Sequence, residues 1–297
     1  MTNSQSLSLK ALDWRGIRLF LVLCFGLTWT MEISALVYGI RFDALSPATV
    51  ALLGLIMLTP AGSAFSVRRW LTREGFASAG LRLGPWQPYV FVWLGVPCLF
   101  GVIYILTSVL GLGVFSTDLS LFLRKLPPLP PGKQLPPTPV LLCTLGFASL
   151  TVGLLITSLF TFGEEFGWTG YLLPKLLPLG RWRAVAIYGT IWGLWHAPVI
   201  AGGFNYPGNP VAGIALMCIF TTAIGMVQCT LLIRYKSVIL TSFLHGAINS
   251  QARGIWPVLF TSVAPLWGGV AGLLGCVVIG VLGVLLMVGT KSNPARA

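Results

Sequence analysis

Negative charge is what this sequence has least of. Its 297 residues include seven Asp and Glu against nineteen Lys and Arg, and only two His. Charged residues make up 9% of the chain and hydrophobic ones 56%, with a mean hydropathy of +0.87. A soluble domain carries about a quarter charged residues, so this composition excludes one and fits an all-α, polytopic integral membrane protein. No segment between apolar runs is long enough to bury a core of its own, so residues 1–297 read as a single membrane domain. The six cysteines (Cys24, Cys98, Cys143, Cys218, Cys229, Cys276) form no close pair at metal-ligand spacing and read as small hydrophobes inside apolar runs. The basic residues are scattered and form no aromatic-interleaved patch, which argues against a nucleic-acid partner.

What is present is a series of apolar runs long enough to cross ~30 Å of hydrocarbon. Eight transmembrane helices are expected at about 17–39, 47–67, 88–114, 140–165, 184–200, 211–233, 237–251 and 264–289, the seventh short and the fifth interrupted by glycine. The first run follows basic residues as a signal peptide would, but its length and Glu32 mark a retained span. Even-numbered crossing puts fourteen basic residues on the side of the termini (Lys10, Arg15, Arg18, Arg68, Arg69, Arg73, Arg82, Lys175, Arg181, Arg183, Arg234, Lys236, Lys291, Arg296). The other side has five (Arg41, Arg124, Lys125, Lys133, Arg253). This bias predicts that both termini are cytoplasmic. The proline-rich stretch within 115–139 reads as an extended external connector, and Gly268, Gly272 and Gly275 as a small-residue packing face in the last span.

An ionisable side chain at the centre of a membrane helix costs about 2.5–3.5 kcal/mol, so each one needs a partner, a cavity or a function. The sequence offers Glu32, Glu164, Glu165, His196 and His245. At ~1.5 Å per residue Glu164, Glu165, His196 and His245 reach similar depths on the cytoplasmic side, whereas Glu32 lies deeper and reads as an interhelical hydrogen-bonding group. Trp192 and His196 share a helix face four residues apart, as do His245 and Asn249. Glu164 and Glu165 project about 100° apart, so one should face a shared centre while the other supports it. A lone intramembrane histidine is more often a packed group than a catalyst. Two of them at the depth of a glutamate pair point to a shared polar site.

That site suits two hydrolytic chemistries. Glu164, His196 and His245 could hold a zinc ion with an open position. Alternatively a glutamate acts as general base on water while His and Asn donors stabilise the oxyanion. A proton-coupled transporter could use the same cluster.

GEEFGWTGYLLPKL, IWGLWHAP and SFLHGAIN, in that order within 161–250, resemble the three motifs of the CPBP intramembrane protease family, also called the type II CAAX prenyl endopeptidase or Abi family. The family's glutamate pair matches Glu164 and Glu165, its aromatic and His match Trp192 and His196, and its His and Asn match His245 and Asn249. The protease-type region spans about 138–251. The resemblance implies a membrane-embedded endopeptidase whose cavity opens to the cytoplasm and whose substrate is a lipidated or membrane-embedded peptide, of prenylated CAAX or bacteriocin type. It assigns Glu164 as general base, His196 to the water or a metal, His245 and Asn249 to the scissile carbonyl, and Glu165 to a supporting role. The family's arginine is Thr169 here, so the expected cation beside the glutamates is missing. Without it the two carboxylates are disfavoured from being ionised together, and a silent immunity or scaffolding protein becomes the alternative.

Overall fold

The runs of Leu, Val, Ile and Phe carry too few polar residues to stay in water, and in lipid their backbone must satisfy its own hydrogen bonds, which selects helices. The computed structural model describes residues 12–43, 46–123 and 135–290. It contains α1 (Trp14–Val37), α2 (Pro47–Ser66), α3 (Gln87–Val109), a short α4 (Ser120–Leu123), α5 (Thr138–Leu150), α6 (Val152–Gly167), α7 (Leu173–Leu176), α8 (Arg181–Trp195), α9 (Ala197–Ala201), α10 (Pro210–Tyr235), α11 (Val238–Ala252), α12 (Trp256–Leu259) and α13 (Leu273–Gly289). The strands β1 (Val114–Phe115) and β2 (Phe260–Thr261) pair antiparallel, Val114 opposite Thr261. Among the described residues five helical segments are long and apolar enough to cross a membrane: Trp14–Val37, Pro47–Leu71, Gln87–Val109, Thr138–Leu179 and Pro210–Tyr235. The protein is an all-α membrane protein. Lys10, Lys291 and Arg296, together with Arg124, Lys125, Lys133 and most of the proline-rich connector, lie outside the described residues.

Three runs end differently from expectation. The fourth breaks at Thr151 (φ −125°, ψ −96°) and then continues past Gly167 through a π-helical turn, Trp168–Leu172, into α7. The Ser149 carbonyl, next to that break, is taken up by Ser250 Oγ at 2.8 Å and Gln251 Nε2 at 3.2 Å, so α11 repairs the break in its neighbour. The fifth run stops at Trp195 because Pro198 cannot extend a helix from below, leaving His196 at the joint between α8 and α9. The eighth begins at Leu273, not 264: Pro265 and the glycines around Gly269 (φ +70°) hold 262–272 in turns. Gly268 therefore lies outside α13, against Thr107 and Leu112, and the helix is approached closely at Gly283, by Met226 and Ala223 of α10. Of the cysteines, Cys98 and Cys143 are exposed on the apolar outside, whereas Cys24, Cys229 and Cys276 are buried.

Glycine pairs set the closest helix crossings. A Cβ at Gly163 would lie 2.5 Å from the Met57 carbonyl oxygen, and one at Gly167 2.5 Å from Pro60 Cβ, so α6 lies directly on α2. Gly189 and Gly193 do the same for α8 against Thr222 and Cys218 of α10. Both pairs are spaced four residues apart, the small-xxx-small pattern of membrane helices. Between the helices lie the fully buried rings of Trp168, Trp192, Trp195, Tyr171 and Tyr188. Phe91, Leu159, Leu285 and Val288 face outward, as expected of a surface solvated by lipid.

The bundle has two distinct ends. At the first, Lys175 Nζ lies 2.6 Å from Asp13 and 2.8 Å from Glu74, Ser237 donates to the Arg82 carbonyl, and Arg181 donates to Thr290 at the foot of α13. Burial pushes the Asp13 carboxyl up, but hydrogen bonds from Lys175 and from the Gly16 N–H outweigh this and hold it below the ordinary aspartate value. At the second end the Phe42 N–H meets the Gly202 carbonyl, the two short strands pair, and the Tyr206 hydroxyl donates to the Ala271 carbonyl at 2.7 Å.

Candidate active site

Glu164 sits near the end of α6, where the Gly163 and Gly167 contacts press the helix against α2 and fix its rotation. Its Oε2 accepts a hydrogen bond from Trp192 Nε1 at 3.1 Å, and the carboxylate lines a cavity of about 570 Å³. His196, His245 and Asn249 line the same cavity. The structure thus brings together four of the five residues singled out from sequence. Trp192 lies between the two histidines, its ring 5.2 Å from that of His245 and 6.3 Å from that of His196.

Glu165 points elsewhere, as the 100° step along a helix requires. It is fully buried and accepts from three directions: His245 Nδ1 at 2.9 Å and Gln228 Nε2 at 2.8 Å on Oε1, and Thr169 Oγ1 at 2.9 Å on Oε2. Gln228 is itself oriented by the Tyr188 hydroxyl, which donates to its Oε1 at 2.8 Å. Thr169 also touches Thr241 Oγ1 at 2.7 Å. A hydroxyl has one proton, and the order Thr241 to Thr169 to Glu165 uses each once. The missing arginine is thus replaced by neutral donors. Arg68, just past the end of α2, spends its guanidinium on the carbonyls of Gly75 and Gly170 and on Ser78.

The ring nitrogens of both histidines are assigned by their partners. His196 Nδ1 lies 2.9 Å from the Trp192 carbonyl, which can only accept, so Nδ1 carries the proton and Nε2 keeps a lone pair. His245 Nδ1 faces the Glu165 carboxylate, which leaves its Nε2 as the nitrogen free for other partners. Trp195 stacks edge-on against His196 at 4.8 Å and is anchored by its Nε1 donating to Thr28.

Zinc binding would need three donors gathered on one point. Among the described residues no group of three or more His, Cys, Asp or Glu side chains is arranged to hold a metal ion. Glu164, His196 and His245, expected to hold a zinc ion with an open position, line one cavity but are not gathered on one point as that ion requires.

Two features escaped the sequence reading. Glu32, set aside there as too deep, lines the same cavity as Glu164; it is fully buried, and neither carboxylate oxygen meets a hydrogen-bond donor among the described residues. The Val199 backbone N–H is in its surroundings but outside hydrogen-bond geometry. Gln228 was also missed. The only signal available was that it is the single amide in the apolar run 211–233.

The lining of the cavity reaches from the glutamate at mid-bundle to the second end. Its walls include Phe204, Asn205, Pro207, Arg253, Pro265 and the turn Gly268–Gly272, all at that end. α8 and α11 have fifteen residues each and rise only about 22 Å, short of the ~30 Å core, and Trp192, Trp195, His245 and Asn249 at their far ends line the cavity. The start of α1 and the foot of α13 are at the opposite end from these residues.

Residues 144–251, about a third of the chain, match the model of the family described as type II CAAX prenyl endopeptidase, Rce1-like. No curated protein and no solved structure matches the chain. The matched region holds all three motifs and the whole hydrogen-bond network around Glu165.

Proposed function

We propose that this protein is an intramembrane endopeptidase that hydrolyses a peptide bond of a membrane-anchored substrate with Glu164 as general base. The observation that carries this reading is the separation of the two glutamates. Glu164 lines a 570 Å³ cavity with His196, His245 and Asn249, while Glu165 is withdrawn behind it and consumed in holding His245. The Rce1-like match over the same residues supports protease chemistry at the level of the family.

In the proposed mechanism a water is held between the Glu164 carboxylate and His196 Nε2, which accepts because its Nδ1 proton is committed to the Trp192 carbonyl. Glu164 takes a proton from the water as its oxygen attacks the scissile carbonyl carbon. The carbonyl oxygen gains negative charge, and donors preset at that position stabilise it. Asn249 offers its amide N–H. His245, held through Nδ1 by the Glu165 carboxylate at 2.9 Å, presents its Nε2 to the same position. Collapse of the tetrahedral intermediate breaks the C–N bond, and the proton on Glu164 passes to the leaving amine. Trp192 keeps the Glu164 carboxylate aimed throughout by its 3.1 Å hydrogen bond.

The test is cleavage by purified protein of a panel containing farnesylated CAAX peptides and unmodified single-span peptides, read by mass spectrometry. The wild type should cut at least one member, with Glu164→Gln reducing the rate by about 10²–10⁴ and His196→Ala and His245→Ala also impaired. Cleavage of no member by the wild type, or equal cleavage by all variants, would overturn the reading.

A further inference from the structure

Six of the seven acidic residues have a donor of their own. Asp13 and Glu74 meet Lys175, Asp43 meets Arg41, Asp118 accepts from Ser120, Glu164 from Trp192, and Glu165 from three side chains. Glu32 is the exception. It is fully buried, and neither carboxylate oxygen meets a hydrogen-bond donor among the described residues. A buried carboxylate in that condition costs stability, because nothing replaces the water it gave up. Arg253, the one basic residue in the cavity lining, makes no ion pair with it among the described residues.

The position of Glu32 follows from how α1 grips the end of α8. Thr28 Oγ1 accepts from Trp195 Nε1 at 2.8 Å, and Trp29 Nε1 donates to the Trp195 carbonyl at 3.2 Å. Glu32 lies one turn beyond Thr28 on the same face of α1, which carries it past Trp195 to the surroundings of Val199, just after the joint at His196. It thus lines the same cavity as Glu164 and His196. From α2 and α9 the lining takes Leu53, Ile56, Met57 and Val199, all apolar. Closed off from water and tied to no neighbour, the carboxyl can turn toward a donor by rotating its own side-chain bonds, with no hydrogen bond to break.

We propose that Glu32 is a substrate-binding residue whose carboxylate accepts a backbone N–H of the bound peptide beside the scissile bond. The inference rests on the proteolytic reading of the cavity. Charge decides which peptide group Glu32 can face. The scissile carbonyl oxygen becomes negative during attack, and a second carboxylate beside it would oppose that change. An N–H has the opposite polarity. A backbone amide carries no net charge to desolvate, whereas a lysine or arginine side chain would have to shed its water to enter a wall of Leu53, Ile56, Met57 and Val199. The two glutamates of the cavity thereby divide the work: Glu164, aimed by Trp192, acts on the water, and Glu32 supplies affinity. Its effect falls on KM, since the amide it holds is the same in the bound substrate and in the transition state.

Binding to the full-length Glu164→Gln protein in detergent tests this without consuming the peptide. The probes are a fluorescent farnesylated CAAX peptide and a fluorescent single-span peptide, followed by anisotropy. Adding Glu32→Met should raise the dissociation constant of at least one probe about ten- to a hundredfold, the loss expected for a hydrogen bond to a charged group. Glu32→Gln, which keeps the shape and an accepting oxygen, should lose less. Methyl groups placed on the backbone nitrogens of that probe one at a time should find a single position that weakens binding to a similar extent. The same methyl should have little further effect once Glu32 is Met, a coupling that a role confined to the fold would not produce. In the active protein Glu32→Met should raise KM and leave kcat within about threefold. Equal binding with and without Glu32, binding of neither probe, or the absence of a coupled position would overturn the inference. Loss of affinity on replacing a probe lysine or arginine by norleucine, in place of N-methylation, would overturn the backbone clause. Equal binding beside cleavage by the wild type strikes this inference alone, whereas Glu32-dependent binding without cleavage strikes the proteolytic reading and leaves Glu32 as a peptide-binding residue.

Discussion

Replacing Glu165 by alanine and by glutamine should have very different consequences, because of how many donors converge on it. Its carboxylate accepts from His245 Nδ1, Gln228 Nε2 and Thr169 Oγ1 with no solvent contact. Alanine strands two of them. Thr169 can turn its proton to the Glu165 backbone carbonyl 3.0 Å away or to Thr241, but the imidazole and amide protons have no alternative partner. Each unsatisfied buried donor costs about 1–3 kcal/mol, so the alanine variant should lose about 2–6 kcal/mol. Glutamine can keep its oxygen toward His245 and Gln228 and set its NH₂ against the Thr169 oxygen, which accepts once its own proton has turned away. That variant should lose no more than about 1–2 kcal/mol. Unfolding of both variants in a single detergent, followed by Trp fluorescence, measures the difference. Stabilities equal within about 1 kcal/mol would refute the claim that Glu165 holds His245 in place. Glu164 supplies the contrast. It accepts one side-chain hydrogen bond, so Glu164→Gln should leave stability within about 1 kcal/mol of wild type while removing cleavage.

Four further outcomes are expected. Gly167→Ala places a methyl 2.5 Å from Pro60 Cβ and 2.7 Å from its carbonyl oxygen, so it should destabilise by about 1–3 kcal/mol and slow cleavage by shifting Glu164. Gly62→Ala, which meets nothing within 4 Å, should be neutral or slightly stabilising in the same unfolding assay. Glu32→Met removes a buried carboxyl without a donor and should raise stability by about 1–3 kcal/mol while increasing the KM of any substrate that reaches this part of the cavity; a loss of stability would show that Glu32 is structurally paired. The Asp13 carboxyl, held low by Lys175, contributes stability that is present above its ordinary value and fades as pH falls through the depressed one. Because Asp13 is 40% exposed, Asp13→Asn should cost less than about 1 kcal/mol at neutral pH, and the difference from wild type should vanish in acid.

The sequence by itself determined the solvent and therefore the class of fold. With so little charge and so many apolar runs, only helices can satisfy the backbone, and the helices lie close to where hydropathy put them. It also singled out Glu164, Glu165, His196 and His245 as candidates, because in lipid each ionisable side chain has to be accounted for. The helical angle between adjacent residues was enough to predict that the two glutamates face different directions. Helix ends were less legible. The break at Thr151 depends on side chains of α11 that arrive about a hundred residues later, and the late start of α13 depends on turns that look apolar in a hydropathy window.

Only the tertiary structure decided which polar groups meet. Gln228 and Tyr188 become part of the site because α8 and α10 lie in contact across Gly189 and Gly193, and nothing local to either residue announces that. Glu32 enters the cavity because depth along a helix does not determine lateral position. GEEFG carries this division within five residues. Its glutamates could be found from their cost in lipid, but the meaning of its two glycines, an α6 pressed onto α2 at Met57 and Pro60, appears only when the second helix is in place.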